Sequence, residues 1–170
     1  MSGQGSTQTV IDSLEFARTG QKLRGSLALP GLTRLRDSLA DTLGTVGFEV
    51  TGGTDSRVRP ILTVVIHGML HLQCQRCLEA LDHPLQLLNT LLLATRGEAA
   101  PGARDDEETE WVEASRELDL AKLIEDEILL SLPYAPKHEE GICRPLAGAI
   151  VGNAAQSAFA RLAALKRDIH

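Results

Sequence analysis

The sequence predicts an α+β fold: a mainly antiparallel β-sheet with two packed helices, a Cys-x-x-Cys turn between strands and a short C-terminal helix. Three observations carry that expectation. From Thr45 to Thr95 apolar residues follow an extended, two-residue rhythm. On either side of this stretch Leu32, Leu35, Leu39 and Leu43, and then Leu120, Leu123, Ile124 and Ile128, recur near the 3.6-residue period of a helix. Cys74 and Cys77 interrupt two extended runs over a distance that suits a tight antiparallel turn.

Residues 1–7 are polar and small and are expected to be disordered. "VIDSLEFA" and "KLRGSLALP" read as strands, the second ended by Pro30 and Gly31. "LTRLRDSLADTLG" reads as a helix, with Gly44 as its C-terminal stop. Two extended segments then flank a turn placed at 52–56. Along the second, Leu62, Val64, Ile66, Leu70, Leu72 and Cys74 share one face, while Thr63, His67, His71 and Gln73 share the other. "HPLQLLNTLLLATR" resumes as a strand, because Pro84, Asn89 and Thr90 oppose a helix that its leucines alone would permit. "GEAAPGARDDEETE" is a solvated loop. "DLAKLIEDEILLSLP" is the best helix, capped by Asp119 and stopped at Pro133, with Glu125, Asp126 and Glu127 expected on its exposed side. The predicted organisation is one α+β domain over 1–144, a flexible Ala/Gly linker over 145–156 and an amphipathic C-terminal helix over 157–170, with Phe159, Leu162 and Leu165 on one side.

Composition narrows the function classes. No apolar run approaches the roughly 20 residues of a membrane-spanning helix, and the N-terminus lacks the basic start and apolar stretch of a signal peptide. The expectation is a cytoplasmic protein with no membrane partner, in a reducing setting where three cysteines read as thiols or metal ligands rather than disulfides. The net charge of −6 is unevenly spread. Residues 105–127 hold 11 of the 23 acidic groups, and the rest of the chain has 15 bases against 12 acids. Strong non-specific nucleic-acid binding is disfavoured by the total, whereas a local basic surface is not.

The cysteines admit several readings. Structural zinc takes four thiolate or imidazole donors in a tetrahedron. The Cys74–Cys77 pair supplies two, and "KHEEGIC" offers His138 and Cys143, with His83 a rival for the nitrogen donor. A redox pair would want a helix starting at the first cysteine, and "LEALDHP" gives little helix after Cys77. Three unligated thiols are the plain alternative. His67 and His71 read as exposed strand residues. Arg76 inside the turn, with Arg96, Lys137 and Arg144, would surround the site with positive charge able to meet an RNA phosphate or another partner, against the alternative of scattered solvated bases.

"LQCQRCLE", "ELDLAKLIEDEILLSLPYAPKHEEGIC" and the terminal "FARLAALKR" together resemble the bacterial YceD family, the large ribosomal RNA subunit accumulation proteins. The opening "IDSLEFARTGQKLRGSLALPGLTRL" is similar to its proteobacterial members, so the resemblance runs from about residue 10 to 167. Its most specific parts are Cys74, Arg76 and Cys77, the acidic helix leading to Leu132–Pro133, and the loop ending in His138 and Cys143. The resemblance implies a non-enzymatic factor supporting accumulation and processing of 23S ribosomal RNA and assembly of the large subunit, through the RNA precursor or a ribosomal protein. It favours zinc on Cys74, Cys77, His138 and Cys143. The competing class is an enzyme, a thiol oxidoreductase or a zinc hydrolase.

Overall fold

The computed structural model describes residues 10–95 and 110–143. Described residues up to His138 belong to one compact unit, and Glu139–Cys143 open a second. In chain order the elements are β1 (Val10–Ile11), α1 (Ser13–Arg18), β2 (Lys22–Ala28), β3 (Thr45–Thr54), β4 (Pro60–Gln73), β5 (Ala80–Ala94), β6 (Trp111–Glu113), β7 (Leu118–Asp119) and α2 (Leu120–Ser131). Strands β2 to β6 lie side by side in that order as one sheet, antiparallel except where β6 runs parallel to β5. A separate two-stranded ribbon joins β1 to β7. This is the mainly antiparallel α+β architecture that the sequence predicts, with the Cys-x-x-Cys turn between β4 and β5. Residues 1–7, 145–156 and 157–170, expected to be a disordered start, a linker and a terminal helix, lie outside the described residues.

Period-two patterning sets the register. Leu62, Val64, Ile66, Leu70 and Leu72 of β4 are all buried, as the alternation predicts. Ile66 stands opposite Phe48 on β3 and Leu87 on β5, so three strands present one apolar face. Helix α2 covers it with Leu120, Leu123, Ile124 and Ile128, and α1 adds Phe16 and Ala17. Full burial of each large apolar side chain contributes about 1.5–3 kcal/mol. A one-residue slip of β4 would turn its whole set to solvent, which is why the pairing is unambiguous.

Several expectations are corrected. "VIDSLEFA" is a strand only at Val10–Ile11; Asp12 then accepts from the Glu15 N–H and starts α1. The helix expected over 32–44 is absent. In its place stands a short 3-10 turn, Leu35–Ser38, preceded by another at Leu29–Gly31 and followed by Leu39 in an extended conformation. Leu29, Leu32 and Leu35 are all buried three residues apart, which is the 3-10 period and mimics a helical stripe. Past Ser38 the chain is drawn onto the end of β4: Leu39 bridges Leu72, and the Ala40 N–H donates to the His71 carbonyl at 2.7 Å. Gly44, at φ +105°, stops no helix.

The turn expected at 52–56 begins later, and Gly52 and Gly53 belong to β3. Gly52 is there because the Phe16 carbonyl crosses it: a Cβ would sit 2.2 Å from that oxygen. The acidic triplet of α2 is also not an exposed face. Glu125 and Glu127 are buried, and only Asp126 is half-exposed. Glu125 accepts from the Arg34 and Leu35 backbone N–H groups at 2.7 and 3.1 Å and pairs with the Arg34 guanidinium at 3.2 Å. It thereby satisfies the otherwise unpaired start of the second 3-10 turn.

Candidate metal centre

The β4–β5 hairpin runs from Ile61–Leu92 to Gln73–Ala80 without a break in pairing. Its tip is closed by two backbone bonds, Cys74 N–H to Glu79 O at 3.0 Å and Leu78 N–H to Cys74 O at 2.9 Å. Leu78 occupies the left-handed region at φ 62°, a conformation that costs a non-glycine residue about 1 kcal/mol. That reversal brings Ala80 back into register opposite Gln73 while both cysteine side chains stay inside. Cys74 and Cys77 are 0% and 4% exposed.

After α2, Leu132 leaves the helix in an extended conformation and the chain passes through Pro133 and Pro136 to His138. The Gln75 N–H donates to the Pro136 carbonyl at 2.8 Å, which docks this loop on the turn. His138 Nδ1 then lies 3.4 Å from Cys77 Sγ, and its Nε2 donates to the Ala80 carbonyl at 3.0 Å. Burial pushes the Cys74 thiol up, but backbone groups of Arg76, Cys77 and His138 and the Cys77 side chain hydrogen-bond to it. The net result holds it down to about 5. A thiolate is therefore the resting form near neutral pH, which is the form a metal takes.

The donor atoms of Cys74, Cys77, His138 and Cys143 all lie within 4.8 Å of one another. A tetrahedral zinc ion with bonds of about 2.3 Å to sulfur and about 2.0 Å to nitrogen separates its donors by roughly 3.5–3.8 Å. Three thiolates and one imidazole are a soft, four-donor set of the kind that closes a structural zinc site. His83, the rival nitrogen donor, is not in this group; it sits in β5 opposite Leu70.

Arg76 is solvent-exposed, but its Nη2 donates to the His138 carbonyl at 3.2 Å, so it points back across the loop. Lys137 is exposed. Arg96 and Arg144 lie outside the described residues. His67 is exposed, as expected. His71 is half-buried and bonded to Asp41 at 2.8 Å. What sequence reasoning missed is backbone chemistry: the Ala80 and Pro136 carbonyls and the Gln75 N–H carry no signature in residue type. The one available signal was the spacing, since two prolines before His138 disfavour helix and let the loop lie along the turn.

Fold and site together define a small α+β protein with a cysteine–histidine cluster at the tip of its longest hairpin. The chain belongs to the family described as large ribosomal RNA subunit accumulation protein YceD, whose profile matches residues 62–166. It is also similar to the large ribosomal RNA subunit accumulation protein YceD of Haemophilus influenzae, at 25% identity over 133 residues, covering 78% of this chain and 76% of the relative. No solved structure matches the chain significantly.

Proposed function

We propose that this protein is a non-catalytic cytoplasmic factor supporting accumulation of large-subunit (23S) ribosomal RNA and assembly of the large subunit. It acts by binding the RNA precursor or a ribosomal protein. The observation that carries the reading is family membership across the hairpin, the acidic helix and the cysteine–histidine loop. A structural zinc ion on Cys74, Cys77, His138 and Cys143 fastens the hairpin tip to the chain after α2; the donor chemistry and spacing support it. Four protein donors leave no open position for a metal-bound water, so the zinc would hold the fold rather than hydrolyse a substrate. Arg76, Arg96, Lys137 and Arg144 are the proposed contacts to the partner. No helix among the described residues is long and apolar enough to cross a membrane.

Depletion of the protein in its host, followed by measurement of 23S relative to 16S RNA and of subunit profiles, tests the reading. A fall in the ratio with loss of free large subunits is expected. An unchanged ratio and unchanged profiles would count decisively against it. A thiol oxidoreductase is the competing class, favoured by the low-lying Cys74 thiol. Against it, the pair is buried and flanked by strands rather than by the start of a helix. Turnover of a disulfide substrate by reduced, metal-free protein would reinstate that class.

A further inference from the structure

We propose that Arg76 is a positioning residue of the metal centre, holding the His138 imidazole with Nδ1 toward the thiolates through its bond to the His138 carbonyl. The inference rests on the zinc reading above and identifies what orients its one nitrogen donor. His138 sits on an irregular loop, where a free imidazole would lose backbone and rotamer freedom on ligation. Besides the His138 backbone bond to the Cys74 sulfur, three bonds remove that freedom beforehand, and none of them runs through a metal. The Gln75 N–H holds the Pro136 carbonyl at 2.8 Å, Arg76 Nη2 holds the His138 carbonyl at 3.2 Å, and the Ala80 carbonyl holds the ring at Nε2 at 3.0 Å.

The chemistry of the Ala80 bond is one-way. A carbonyl oxygen only accepts, so Nε2 carries the hydrogen and Nδ1, 3.4 Å from Cys77 Sγ, keeps its lone pair for ligation. A backbone carbonyl on the distal nitrogen is how a ligating imidazole is commonly fixed in tautomer and ring plane. The Ala80 bond can form only if the loop stands at the right height above the turn. Arg76 sets that height, because it leaves the turn between the two cysteines and reaches the carbonyl of the residue that owns the ring. Its guanidinium has planar, fixed donors suited to such a strut. The bond gives Arg76 a role at the centre beside the partner-facing one read from the sequence, which distinguishes it from Lys137 one residue before the histidine.

The test uses the full chain, stripped of metal under reducing conditions. Zn²⁺ affinity is measured against a chromophoric chelator, and Co²⁺ is followed by its visible absorption bands. Arg76→Ala is expected to weaken binding about 10–100-fold, Arg76→Lys to recover part of that loss, and Arg24→Ala, on the remote edge strand, to stay within about twofold. Two-bond ¹H–¹⁵N correlation is expected to place the His138 hydrogen on Nε2 in the parent without metal, and to show mixed tautomers in Arg76→Ala. Parent-like affinity in Arg76→Ala, an equal loss in Arg24→Ala, or a hydrogen on Nδ1 in the parent would each overturn the proposal. If the parent binds neither ion, the zinc reading falls by itself. The tautomer comparison still decides whether Arg76 orients the ring, and an unchanged tautomer in Arg76→Ala overturns it.

Discussion

At the scale of single residues the least expected group is the buried carboxyl of Glu127. Burial is the main cause of its raised pKa; Asn89 lowers it by donating to Oε2, and the charges of Glu110 and Asp126 raise it further. Between the ordinary value of 4.5 and the raised folded one, the folded protein holds a proton more readily than the unfolded chain. The stabilising contribution is complete below that ordinary value and is lost as pH rises through the elevated folded pKa. Glu127→Gln keeps an acceptor for Asn89 and has no charge to bury. Its unfolding midpoint should exceed the parent's at pH 7.5 and match it at pH 4, as thermal denaturation across that range will show. A variant less stable than the parent at pH 7.5 would mean that the ionised carboxylate is wanted. Asp41, Asp55 and Glu49 shift the opposite way, held low chiefly by the Leu43 N–H, the Arg59 N–H and Lys22 in turn. Their contributions are present above the ordinary carboxylate range and vanish as pH falls, so they do not imitate the Glu127 effect. None of this was legible in "EDE": a run of acids on a helix reads as a solvated face, and the partners of the buried pair, Arg34, Leu35 and Asn89, are 38–91 positions away.

At the scale of elements, legibility followed the length and purity of the pattern. Strand β4 and helix α2 have long, clean periods and stand where the sequence puts them. Strand β5 was recoverable despite its leucines, because proline and asparagine break a helix more than leucine favours one. The failures are the short elements. Leucines at 32, 35 and 39 satisfy a helical template, yet buried 3-10 turns and a bridge to Leu72 satisfy the same residues. The tertiary partner, Glu125, decides between them by taking the Arg34 and Leu35 N–H groups. The crossing of α1 over β3 is a further element-scale constraint. Gly52→Ala should cost about 3 kcal/mol or more, since its methyl would meet backbone at 2.2 and 2.7 Å, which cannot rotate away. Gly53→Ala meets only the Ile61 side chain at 3.9 Å and should be neutral or slightly stabilising. Urea midpoints of the two variants measure the contrast; similar midpoints would show that α1 does not bear on β3.

At the scale of the whole molecule, the candidate site was largely legible because its donors are rare residue types. Three cysteines and a histidine in the right number suggest a tetrahedral set, and the fold gathers all four. The struts were not legible, because each ends on a main-chain group of the other segment. If zinc holds the site, its removal acts on global stability by mass action. Free ion at a thousand times its dissociation constant stabilises by about 4 kcal/mol, or roughly 10 °C for a chain of this size. Chelator added to reduced protein should lower the melting temperature by about that amount, and Cys74→Ser should lose the response. A parent indifferent to chelator would remove the metal from the account of stability. The long, unbroken β4–β5 hairpin has a consequence for synthesis on the ribosome. Its contacts are local in sequence, and local pairings form early. Cys74 and Cys77 can thus be brought together before the stretch carrying His138 has docked on their turn. An ion taken up at this site would meet two thiols first and be enclosed only once α2 has delivered the histidine, so a metal there would be a late seal on the order of folding.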